Sequence, residues 1–334
     1  MKLVWSCVLV LLFVAGSCRK SGETKSNSFE WSTDSLKTLQ TDLPPDTYND
    51  LIFLNALTGF AVSTGGKIVQ TTDGGIHWTT RTEVSFYLNR LQFTDGQTGY
   101  ATGGDESGTY LLKTLDGGIH WQTTLLTTPG TGWPGGMFFV GSTRGFITGN
   151  GYFRQTKDGG KTWSDVTVPV KNGLGDISFR SDREGYVLGE GGKYYQTTDG
   201  GNTWVLRTAV VNFPLKRIVF TPARSYAMAD TKLVDLESGV IVSPALLRDG
   251  TRKLLFINEK NSVGIGQHYE NGFFPYGDIS LTNNAWQMST TRSYSPVSGA
   301  IDFTAVAIRT AGKVLVIGRS VVNSTVIELT YKHP

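Results

Sequence analysis

Four aspartates stand out as candidates for chemistry: Asp73, Asp116, Asp158 and Asp199. Each lies in the same stretch, Thr-x-Asp-Gly-Gly-x-x-Trp, closed by Trp78, Trp121, Trp163 and Trp204. In two copies a histidine follows the acid, His77 after Asp73 and His120 after Asp116. Repeated acids suggest an active carboxylate, and two equivalent histidines suggest a shared metal. The metal fails on distance. Packed sheets lie about 10 Å apart, whereas zinc needs its nitrogens within ~2.1 Å. A local explanation accounts for every residue of the stretch. The carboxylate can accept N–H groups of its own turn, and the glycines can take positive φ without a Cβ clash. Each such bond contributes on the order of 1 kcal/mol net.

The elements that must position these acids follow from the spacing. The four aspartates recur 43, 42 and 41 residues apart. Polar and β-branched residues lead in, Asp-Gly-Gly turns, and an aromatic opens the next stretch, which reads as strand, tight turn, strand. Further upstream each unit has a strand ending in an aromatic (Phe53, Phe93, Phe139, Phe179, Phe220, Phe256, with Ile308 in the last). A Gly-aromatic pair follows in the first four units: Gly59-Phe60, Gly99-Tyr100, Gly145-Phe146 and Gly185-Tyr186. Each unit is therefore a four-stranded antiparallel meander of about 40 residues. No stretch has the 3.6-residue period of a helix.

The repeated stretch resembles the Asp-box (BNR) repeat of β-propellers. Asp-Gly-Gly-x-x-Trp after a Gly-aromatic strand most resembles the photosystem II stability and assembly factor propellers and their bacterial relatives. The resemblance is strong over residues 31–209 and rests on strand pattern alone over 210–334. It implies that Asp73, Asp116, Asp158 and Asp199, with their tryptophans, are scaffold residues, and that function lies in binding a partner protein. Seven unit openings, near residues 50, 90, 136, 176, 217, 253 and 304, give an all-β, seven-bladed propeller over 31–334. Unit five has a plain turn at Asp235–Gly239, and unit six keeps only Asn283-Asn284 and Trp286. Unit seven reaches Pro334 after three strands. Trp31 and the residues to Thr41 resemble the strand after a box, so residues 31–41 are expected to complete blade seven and close the ring, removing an open edge.

The N-terminus reads as an export signal. Lys2 precedes an apolar run from Leu3 to Val14, and Ala15-Gly16-Ser17-Cys18 resembles a bacterial lipobox. Residues 1–17 are expected to be removed, Cys18 to carry lipid, and residues 18–30 to serve as a tether. Arg19 and Lys20 follow the cysteine with little acid nearby, which favours a periplasm-facing anchor in the cell envelope. With Cys7 removed, no second cysteine remains for a disulfide. The whole chain carries a formal charge of +3. No basic nucleic-acid footprint appears, membrane contact is expected only through the anchor, and a monomer is expected.

Binding is expected on the rim opposite the boxes, where loops between strands two and three emerge with the links between blades. Aromatics there are Tyr87, Trp133, Tyr269, Phe274 and Tyr294, on Gly- and Pro-rich segments. Aromatics carry much of the contact energy of interfaces. Three positions before each first-strand aromatic stand Asp50, Arg90, Gly136, Asp176, Arg217, Lys253 and Ala305. They should encircle the channel mouth, and their mixed signs suggest mutual pairing. The alternative class is a glycan-binding or glycan-cleaving envelope protein. Sialidases also carry Asp boxes, but no Phe-Arg-Ile-Pro-like strand occurs here. Asp105, Glu106, Asp176, Glu190 and Glu270 are acids without the motif of a paired-carboxylate hydrolase. The sequence points to no cofactor, no metal and no catalytic residue. The partner is expected to be a protein or a glycan.

Overall fold

The computed structural model describes residues 30–127, 133–169, 171–209, 211, 213–229, 232–242, 250–258, 261–270, 274–283, 287–294, 301–319 and 323–332. They form seven four-stranded antiparallel sheets, with no helix among the described residues. The chain is a seven-bladed β-propeller. Its inner strands are Tyr48–Phe53, Tyr87–Phe93, Pro134–Val140, Ile177–Phe179, Arg217–Phe220, Thr251–Phe256 and Asp302–Thr310. Blade one continues outward through Gly59–Ser63, Lys67–Thr71 and Thr79–Glu83. Its middle strands are buried almost throughout, whereas the outermost strands Gln122–Leu125 and Val205–Thr208 of later blades are exposed along their length.

A ring cluster recurring between blades explains the Gly-aromatic pairs. A Cβ on Gly59, Gly99, Gly145 or Gly185 would lie 2.7, 2.7, 2.4 or 2.6 Å from the ring of Phe53, Phe93, Phe139 or Phe179. The bare glycine therefore lets the first-strand ring lie flat on the second strand. The aromatic after the glycine then stacks on the first-strand ring of the next blade. Phe60–Phe93, Tyr100–Phe139 and Phe146–Phe179 have centroids 4.7, 3.5 and 5.1 Å apart. The box tryptophan meets the same ring edge-on in Trp121–Phe93, Trp163–Phe139 and Trp204–Phe179. Such pairs add about 0.5–1.5 kcal/mol each beyond burial; the stacked pairs join neighbouring blades, and the edge-on tryptophans lie within the blade of the ring they meet.

The ring closes as the N-terminal residues require. Strand Glu30–Leu39 pairs antiparallel with Ser324–Lys332, from Glu30 opposite Lys332 to Leu39 opposite Val326, with a register shift between Trp31 and Leu36. It is the fourth strand of the sheet made by Asp302–Thr310, Lys313–Arg319 and Ser324–Lys332. Leu39 and Leu43 then pack with Trp78 of blade one and Leu315, Ile317 and Val326 of blade seven.

Blade six departs from the sequence reading. Gln267–Gly277 reads as a long loop, but strands Ser262–Glu270 and Phe274–Asn283 continue through most of it, pairing as far as Glu270 opposite Phe274. The fourth strand of the blade, Gln287–Tyr294, also extends, ending with Tyr294 opposite Gly277. The aromatic residues in these segments favour extended, paired backbone. Tyr269, Phe274 and Tyr294 thus lie on strands, not on loops, and their side chains lie outside the described residues.

Candidate functional site

The four boxes share one geometry. In blade one the Thr71 hydroxyl donates to Asp73 Oδ1 at 2.9 Å and accepts the Gly75 N–H at 2.8 Å. Asp73 Oδ1 also accepts the N–H groups of Ile76 and His77, and Asp73 Oδ2 meets His77 Nδ1 at 2.6 Å. Asp116 repeats this with His120, and Asp158 and Asp199 repeat it with the hydroxyls of Thr162 and Thr203. The carboxylates are strengthened as acids by these donors. The Thr203 hydroxyl, then the Thr203 N–H and the Thr197 hydroxyl, hold Asp199 down to about 2 against a small burial penalty. Asp73 is also held at about 2, the donors overcoming the burial that opposes them. His77 is pushed up by its bond to Asp73. In three boxes tryptophan completes the turn, Trp78, Trp121 and Trp163 donating from Nε1 to the carbonyls of Gly75, Gly118 and Gly160, whereas Trp204 Nε1 is buried with no partner among the described residues. With both oxygens engaged inside the turn, the box acids are ill suited to act on a ligand.

The opposite rim carries a different chemistry. Trp133 stands just before the inner strand of blade three and is 54 % exposed. Its ring lies 4.8 Å from that of Tyr87, the first residue of the inner strand of blade two. Asn89 Nδ2 donates to the Pro134 carbonyl and ties the two strands together beside the pair. Burial pushes the Tyr87 phenol up, so it stays protonated. Phe86 stacks on Tyr110 at 4.1 Å next to it. Tyr110 carries no sequence signal: its counterpart in blade three, Tyr152, is buried and bonds Thr109 at 2.7 Å. Phe213, on the connection into blade five, lies under the Lys232 ammonium at 5.3 Å.

The channel residues pair across the ring. Arg90 Nη2 donates to Asp176 Oδ1 at 2.6 Å, from blade two to blade four, and Asp176 Oδ2 accepts the Ile218 N–H of blade five at 2.8 Å. Asp50 of blade one faces Lys253 of blade six at 3.4 Å and accepts the Leu91 N–H of blade two at 3.1 Å. Lys253 also donates to the Asn49 carbonyl. Asp50, Arg90, Asp176 and Arg217 line a cavity of about 220 Å³. Burial opposes the Asp50 charge, yet Lys253, Arg90, Arg217 and the Leu91 N–H together hold its carboxyl below the ordinary range. Burial, with Arg217 and Arg90 adding repulsion, lowers Lys253 to about 7 despite Asp50. Burial and the Arg90 charge lower Arg217 to about 10. Arg90 Nη1 is buried with no hydrogen-bond partner among the described residues.

This arrangement gives no acid–base pair. Asp50 and Asp176 each bond a cation and a backbone N–H, so neither carboxyl is left free for the paired-carboxylate work of a glycosidase. Two arginines, Arg90 and Arg217, line this cavity, and Arg90 Nη2 is taken by Asp176, so three convergent arginines for a sugar acid are not assembled there. The structure brings Tyr87, Arg90, Trp133 and Arg217 to one rim and channel. It places Tyr269, Phe274 and Tyr294 on the strands of blade six. Cys18 lies outside the described residues.

Fold and site together define an Asp-box β-propeller, with turns along one rim and an aromatic rim around a charge-paired channel on the other. The sequence profile of the photosynthesis system II assembly factor YCF48 family matches residues 24–167 and 160–235, and the chain belongs to that family. A solved structure described as YCF48 bound to D1 peptide is similar with a TM-score of 0.68 at 18 % identity, covering 91 % of this chain and 99 % of that one. YCF48 from Cyanidioschyzon merolae is similar with a TM-score of 0.66 at 15 % identity, over 89 % of this chain and 98 % of that one. A GH74 enzyme of Niastella koreensis gives a TM-score of 0.65 at 13 % identity, over 87 % of this chain and 53 % of that one. At these identities the likeness shows the fold alone. No curated protein matches the sequence.

Proposed function

We propose that this chain is a non-enzymatic protein-binding scaffold of the cell envelope, and that it takes an extended segment of its partner across the rim carrying Tyr87 and Trp133. The observation that carries this reading is the half-exposed Trp133 ring paired with Tyr87. A large ring held in place by a neighbour contacts a partner at little entropic cost, and such residues dominate interface energies. The D1 peptide bound by one solved relative supports a polypeptide ligand over a glycan. Residues 1–17 act as the signal and Cys18 as the lipid anchor; residues 18–30 tether a propeller of residues 31–334. No helix among the described residues is long and apolar enough to cross a membrane.

A photo-crosslinking residue placed at position 133 in growing cells tests the rim. It should join a segment of one protein, whereas the same residue at position 115 on the box rim should not. The crosslinked segment, made as a peptide, should then bind Trp133→Ala/Tyr87→Ala at least tenfold more weakly than the native chain. Unchanged affinity, or crosslinks to glycan strands alone, would overturn the reading.

A further inference from the structure

The box rim is not uniform. Leu57, Ile76, Leu115 and Ile119 are 53, 44, 67 and 52 % exposed. All belong to the turns of blades one and two. The box positions occupied by Leu115 and Ile119 in blade two hold Lys157 and Lys161 in blade three and Thr198 and Asn202 in blade four. The turn itself does not call for aliphatic residues there, since its hydrogen bonds use the Thr, the Asp and backbone N–H groups. Beside Leu115, a cleft of about 400 Å³ runs past Trp121 and His120. Val205, Leu206 and Val240 are exposed on the same rim at blades four and five, but the four aliphatics of blades one and two form its densest apolar sector, a surface feature that folding leaves unexplained.

The sector adjoins the point where the chain enters. Blade one sits against blade seven on this rim: Arg309 Nε donates to the Ala56 carbonyl at 2.8 Å, next to Leu57. A Cβ on Gly74 would lie 2.3 Å from the Arg309 guanidinium. Blade two's box in turn abuts Phe60 of blade one, 2.4 Å from a Cβ placed on Gly118. The closing strand begins in blade seven at Glu30, paired with Lys332 at the box-rim end of its neighbour. Residues 19–29 lie between Cys18 and that strand. Eleven residues of flexible chain would reach on the order of 20 Å. That reaches a surface at the rim where the chain enters. To put the opposite rim on the same surface, the segment must also pass the height of a blade, about 20 Å for strands of five to seven residues.

We propose that the box rim of blades one and two rests on a lipid bilayer, with Leu57, Ile76, Leu115 and Ile119 entering the headgroup boundary, so that the Tyr87–Trp133 rim faces away from the membrane. The inference rests on the proposed anchoring at Cys18. It commits to lipid as the occupant because the chain enters the propeller at the rim that carries the apolar sector. The diacylglyceryl group of a lipobox cysteine would hold the chain on the membrane by itself, and the apolar side chains would fix which rim meets the surface. The partner then approaches a rim that the membrane does not cover.

The test imposes the tether, so it does not depend on lipidation in the cell. The chain from residue 19 is made with a histidine tag in place of Cys18 and held on phosphatidylethanolamine–phosphatidylglycerol vesicles by a nickel-chelating lipid. With Cys7 and Cys18 gone, one introduced thiol is the only one. An environment-sensitive dye is attached at Gln122→Cys on the box rim, or at Glu106→Cys on the opposite rim. Brominated lipids should quench the dye at position 122 at least threefold more than at position 106. Leu115→Glu/Ile119→Glu should abolish that difference while the protein stays bound. Equal quenching at both positions, no quenching at either, or quenching that survives the double substitution would overturn the proposal. Separately, the mass of the N-terminal peptide from cells reports acylation of Cys18. An unmodified peptide would remove the anchoring reading while leaving the vesicle result to stand or fall alone.

Discussion

Gly201 shows how much of each repeat depends on a missing side chain. Its φ is +88°, its N–H donates to Thr197 Oγ1 at 2.8 Å, and a Cβ would lie 2.3 Å from the buried ring of Phe146. An alanine there would strain the backbone and displace a ring that stacks on Phe179 and meets Trp204 edge-on. Gly201→Ala should therefore destabilise the fold by on the order of 3 kcal/mol. Gly96, where a Cβ would meet nothing, is the control, and Gly96→Ala should change stability by less than about 0.5 kcal/mol. Urea midpoints of the two variants decide it. Equal midpoints would mean that the ring cluster yields without loss. The box aspartate acts differently, because its exposed carboxylate organises its own turn whereas the glycine fits the turn against the preceding blade.

Among the elements, the strand Glu30–Leu39 couples the two ends of the chain. It supplies the outer strand of blade seven and continues into the residues that pack Leu43 against Trp78. Removing residues 30–42 should lower the melting temperature by more than 10 °C and promote self-association, since the strand Ser324–Lys332 would become a free edge. Calorimetry and light scattering measure both effects, and an unchanged melting temperature would contradict closure by this strand. The closing strand was legible because Trp31 opens it in the way the box tryptophans open theirs. The first four blades were legible because their turns are fixed by local residues. Blade six was not: its hairpin past Gly266 depends on cross-strand pairing, which no short motif records, and its aromatic run reads equally well as a loop. Tyr87 and Trp133 could be placed on one rim from strand order, but their contact depends on how blade three packs beside blade two.

Across the whole molecule, the channel couples distant blades through buried charges, and Lys253 is the member whose protonation can be followed. Sequence position placed it on the ring, yet its partner could not be read, because Asp50 and Lys253 are about 200 residues apart in sequence and meet only when the ring has closed. Its ammonium is lowered from the ordinary lysine range to about 7, first by burial and then by the two arginines, with Asp50 opposing. The sign follows from proton linkage. Between about pH 7 and 10 the unfolded chain holds this proton more tightly than the fold does, so stability rises with pH. Below the folded value both states are protonated, and the contribution stops changing. One such group gives a slope of at most about 1.4 kcal/mol per pH unit. Phenols raised by burial, such as Tyr48 and Tyr186, act in the opposite direction only above about pH 10, the ordinary tyrosine value. Lys253→Met should retain the fold and lose the rise. Its loss of the bonds to Asp50 and the Asn49 carbonyl shifts stability by an amount that varies little between pH 7 and 9. Denaturant unfolding of both proteins at pH 7, 8 and 9 should therefore give a stability difference that changes with pH, the native chain gaining on the variant as pH rises. Parallel curves would show that the lysine stays charged in the closed ring and that Asp50 outweighs the burial and the arginines.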